Sequence, residues 1–95
     1  MKVTIIKDDG AVYKDGVSYS DLVLNSIPND VHALQWNNNA GHIEYVNNYK
    51  PVADILELPD WANDCLFAWE KAWEKAEAER VALVAKQVDA LPATL

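Results

Sequence analysis

The hydrophobic rhythm of this chain changes once. Up to about residue 58, apolar residues come in short runs rich in Val, Ile, Tyr and Trp, separated by Asp, Asn, Gly and Pro. Such runs read as strands and the separators as turns. Lys2 to Ile6 predicts a first strand, Ala11 to Lys14 a second and Val17 to Tyr19 a third. Asp15-Gly16 between the last two is a two-residue hairpin signal, because both positions of that turn favour positive φ. Ser20 to Asp30 is irregular and ends in the turn Ile27-Pro28-Asn29-Asp30. Val31 to Trp36 and His42 to Val46 form the clearest strand pair, joined by the loop Asn37 to Gly41. Strict pairing across that loop sets Trp36 near His42 and Leu34 near Glu44, and a slip of one residue exchanges the faces. Val52 to Leu56 reads as a last short strand or an extended lead-in.

Beyond Pro59 the apolar spacing becomes three and four. Ala62, Leu66, Trp69, Trp73, Ala76, Val84, Val88 and Leu91 share one helical face, with Arg80 as its polar interruption. The middle repeats a tetrapeptide, Trp69-Glu70-Lys71-Ala72 and then Trp73-Glu74-Lys75-Ala76. Asp60 can cap the helix, or Pro59 can occupy its first turn, and Pro92 ends it. Lys71 with Glu74 and Glu77 with Arg80 add local ion pairs. Val81, Val84, Val88 and Leu91 follow the 3-4-3 spacing of a short coiled-coil seam. A helix of this length makes a rod of about 45 Å. A globule of this size has a radius of gyration of only ~12–13 Å. The head cannot cover such a rod, so part of it must fold back, pair with another chain or stand in solvent.

The resulting expectation is an α+β protein: a small antiparallel β-sheet of four to five short strands followed by one long C-terminal amphipathic helix. Residues 1–58 make a β-rich head, 59–91 the helix, and 92–95 a tail. The near half of the helix, Trp61 to Ala76, packs on the sheet, and the far half, Arg80 to Leu91, projects.

Ninety-five residues fit one domain with a modest core. No apolar run is long enough to cross a bilayer, and the N-terminal apolar stretch is too short for a signal peptide. One cysteine allows no internal disulfide, which fits synthesis in the cytosol. The net charge of −7 is shared, about −4 before Pro59 and −3 after it. That balance argues against nucleic acid, whose phosphates require clustered Lys and Arg. It serves solubility, or an acidic surface that meets a basic partner.

Candidate chemistry is thin. His32 and His42 are the only histidines, and no Cys or carboxylate stands at a metal-ligand spacing from them. Cys65 lies near a helix N-terminus, which favours a thiolate, but among Trp61, Leu66 and Trp69 it reads as a small hydrophobe. Asp8-Asp9 precedes glycine and reads as a turn; Glu74 and Glu77 read as a solvated face. There is no phosphate-cradling Gly-rich loop, nucleophile elbow or zinc-protease helix. No catalytic residue, cofactor or metal is expected, and the chain is read as a non-enzyme. Of the four tryptophans, Trp69 and Trp73 are expected to close the core. Trp61, off the stripe centre, and Phe67, farther round, supply an interface anchor between them. The expected protein-interaction set is Trp61, Phe67, Arg80, Val81, Val84, Val88 and Leu91. The asparagines at 37–39 and 47–48 are read as turn formers rather than as a binding rim.

Met1-Lys2-Val3-Thr4-Ile5-Ile6-Lys7, Val12-Tyr13-Lys14-Asp15-Gly16-Val17-Ser18-Tyr19, Val31-His32-Ala33-Leu34-Gln35-Trp36 and Gly41-His42-Ile43-Glu44-Tyr45 resemble a family of small tailed-bacteriophage proteins encoded among tail and tail-fibre genes. Some members are described as tail fibre assembly proteins. The resemblance covers roughly residues 1 to 66, in core and turn residues, with no catalytic signature. An aromatic residue is expected in such relatives where this chain has His42, so no binding role transfers to that position. The resemblance implies a non-enzymatic factor that assists tail fibre assembly, a chaperone-like role. Its partner would be a tail fibre or other tail protein, or a second copy bound through the C-terminal helix. Nucleic acid and membrane are not expected partners. The place implied is the host cytoplasm of an infected bacterium, or the virion. The alternative is a phage-encoded acidic inhibitor of a host defence protein, acting by steric blockade.

Overall fold

The computed structural model describes residues 1–48 and 50–90, without the side chains of Asn48 and of residues 85–90. Six strands precede one helix: β1 (Lys2–Ile6), β2 (Ala11–Lys14), β3 (Val17–Tyr19), β4 (Val31–Asn37), β5 (Ala40–Tyr45), β6 (Ala53–Ile55) and α1 (Asp60–Ala90). A short 3-10 turn at Val46–Asn48 follows β5. The strands form one antiparallel sheet in the order β3-β2-β1-β4-β5-β6. The architecture is α+β, with six strands rather than four to five. The added strand is β6, whose three residues pair with Gly41, His42 and Ile43. So short a run is indistinguishable from an extended lead-in until its partner is placed.

The β2–β3 hairpin closes at Asp15-Gly16, where φ is 48° and 94°, the positive values this turn demands. The β4–β5 hairpin departs from the strict five-residue reading. Its turn is Asn38-Asn39 alone, with Asn37 paired to Ala40, Trp36 to Gly41, Gln35 to His42 and Leu34 to Ile43. Trp36 and His42 therefore lie on opposite faces. Asn38 makes the tighter turn by adopting φ 59°, and its N–H donates to the Met1 carbonyl at 2.8 Å. Gly41 is required where it stands. A Cβ there would overlap the Gln35 carbonyl oxygen and lie 3.0 Å from the Trp36 ring, which closes over the glycine.

Register assigns the two faces. Val3, Ile5, Val12, Leu34, Trp36 and Ile43 point to one side and are buried. From the helix, Ala62, Cys65 and Trp69 complete this cluster, and Ile27 and Val31 close its end. Fully burying one such large apolar side chain contributes roughly 1.5–3 kcal/mol, so the core rests on about a dozen groups. The long β3–β4 connection is irregular but not idle, since Leu22 and Leu24 also pack on the cluster.

The opposite face is open along most of its length, with Ala33 as its one buried residue among those described. There, one residue from every strand stands in a single row: Ser18, Tyr13, Thr4, Gln35, His42 and Asp54, each paired with the next by register. The shape is elongated, 67 × 24 × 18 Å, with a radius of gyration of 18.0 Å. The helix accounts for the excess over a sphere of this mass.

Candidate interaction surface

α1 is held to the head through small residues and one large one. Ala62 and Cys65 are fully buried and let the helix approach the sheet closely. Trp69 anchors its outgoing side. The Trp69 indole Nε1–H donates to the Val17 carbonyl at 2.9 Å, Tyr19 meets the ring edge-on at 5.9 Å, and Lys14 Nζ lies 4.9 Å from the ring centroid. Buried indole N–H groups need such a partner. Beyond Trp69 no described residue of α1 belongs to the buried core cluster. Trp73 stacks on Trp69 at 5.8 Å and 6°, but is 39% exposed against 8% for Trp69. The expectation that both close the core holds for Trp69; Trp73, one turn farther on, lies outside the buried cluster and stacks on Trp69.

The projecting part keeps apolar residues in water. Val81 is 63% exposed, Leu83 57% and Val84 53%. Arg80 pairs with Glu77 at 3.0 Å, and Lys71 reaches Glu74 at 3.5 Å; both pairs are exposed and are worth a few tenths of a kcal/mol each. The remaining members of the interaction set fall in different places. Trp61 is half-buried and packs against the core cluster, so it is tied to the head. Phe67 is exposed on the far side of the helix, with Lys71 Nζ 5.1 Å from its ring. Val88 lies within the span of α1, its side chain outside the described residues, and Leu91 lies outside them altogether. On the described part of α1, Leu83 and Trp73 are the exposed apolar residues that sequence reasoning missed, and on the head Val23, Val52 and Leu56 are exposed as well. Leu83 is off the valine spacing, and the exposure of Trp73 depends on where the buried cluster ends.

Groups with chemical potential are distributed elsewhere. The Cys65 thiol is pushed up to about 11, first by burial and then by the neighbouring Asp64 charge, so it stays protonated at neutral pH. His32 Nδ1 lies 4.0 Å from Asp8 Oδ2 and His42 Nε2 lies 3.7 Å from Glu44 Oε2, two separate contacts. Among the described residues no group of three or more His, Cys, Asp or Glu converges as a metal site would require. Lys50 donates to Asp30 Oδ2 at 2.7 Å, and this bond holds the Asp30 carboxyl below the usual range. No helix of the described residues is long and apolar enough to cross a membrane.

Fold and surface together define an α+β protein with a half-covered antiparallel sheet and a helix that outruns it. Compared with family models, with characterised proteins and with solved structures, the chain matches none.

Proposed function

We propose that the chain binds another protein through the part of α1 beyond Trp73, and serves as an assembly factor of the kind its sequence resembles, holding a tail-fibre subunit or a partly built fibre against wrong pairing. The observation that supports this reading is the exposure of Val81, Leu83 and Val84 on a helix whose head has already closed its own core. Consecutive apolar residues on a projecting helix lower the free energy only when another surface covers them. An amphipathic helix laid on an apolar groove is a common way to achieve that. The role requires no catalytic step. The charge of −7 keeps such a chain soluble while its apolar stripe waits for the partner.

The test is the mass of the protein in solution, alone and mixed with a trimeric tail-fibre fragment from a tailed phage that carries this gene. A complex is expected, and the double substitution Val81→Ser with Val84→Ser should abolish it without lowering the melting temperature. A mixture that shows only the separate masses, or a complex indifferent to both substitutions, would overturn the reading.

A further inference from the structure

We draw no further inference here: the strongest candidate, the outer edge of β6 with the exposed Val52 and Leu56 on either side of it, carries nothing, because nothing in the structure shows what covers it.

Discussion

Trp69 and Trp73 begin two copies of the same tetrapeptide on the same helical face, and they live in different environments. Trp69 is clamped by a hydrogen bond to Val17, an edge contact with Tyr19 and the Lys14 ammonium. Trp73 has the Trp69 ring beneath it and water around much of the rest. What separates them is membership of the buried cluster, which includes Trp69 and not Trp73. Trp69 is the last described helix residue of that cluster, and farther along the helix Trp73, Val81 and Val84 are exposed. Identical local sequence therefore acts as a core residue in one copy and as the start of an open surface in the other.

The comparison breaks most visibly at its buried member. Trp69→Ala should destabilise the fold by about 3–5 kcal/mol, the cost of truncating a buried aromatic, with the Val17 carbonyl also left without its donor. Chemical denaturation measures it, and a loss below about 1 kcal/mol would mean the helix is not docked as described. Cys65 sharpens the same side. Its folded pKa is raised from 9.0 to about 11, so the unfolded chain releases the thiol proton first. Stability should be full below pH 9 and fall as pH rises from 9 towards 11, by about 2–3 kcal/mol at most. Cys65→Ala should remove that part of the alkaline decline; an unchanged pH profile would show the thiol to be solvated.

At the exposed member the effects shrink. Trp73→Ala should cost about 1 kcal/mol, the worth of one aromatic stack, and a loss equal to that of Trp69→Ala would erase the distinction between the repeats. Val81→Ser with Val84→Ser should change stability by no more than about 0.5 kcal/mol, since neither side chain packs on the head. Differential scanning calorimetry decides both, and a large effect of the valine pair would mean that the far helix already has a partner, such as a second copy.

Much of the head was legible because β-branched runs and turn residues act locally. Lys2–Ile6, Ala11–Lys14 and Val17–Tyr19 stand where the pattern puts them, joined by the Asp15-Gly16 turn. The failures are all matters of pairing. β6 is too short to declare itself without β5. Asn38 tightens the β4–β5 turn, and that shift puts Gln35 rather than Trp36 opposite His42. The polar row depends on five strand pairings at once, so no single segment could announce it. The exposed apolar surface was half legible: the valine spacing marks Val81 and Val84, while Leu83 and Trp73 needed the extent of the buried cluster to be located.

By itself, the sequence determined the parts. Periodicity sets a β-rich head and one helix, the apolar stripe sets which helical face is sticky, and the positive-φ residues set the sharpest turn. These are short-range consequences of backbone sterics and hydrophobic spacing. Only the tertiary structure decided where burial stops and which residues share the open face. Those facts follow from strand order and register, which arise from contacts between residues far apart in the chain and can be read only once the sheet has closed.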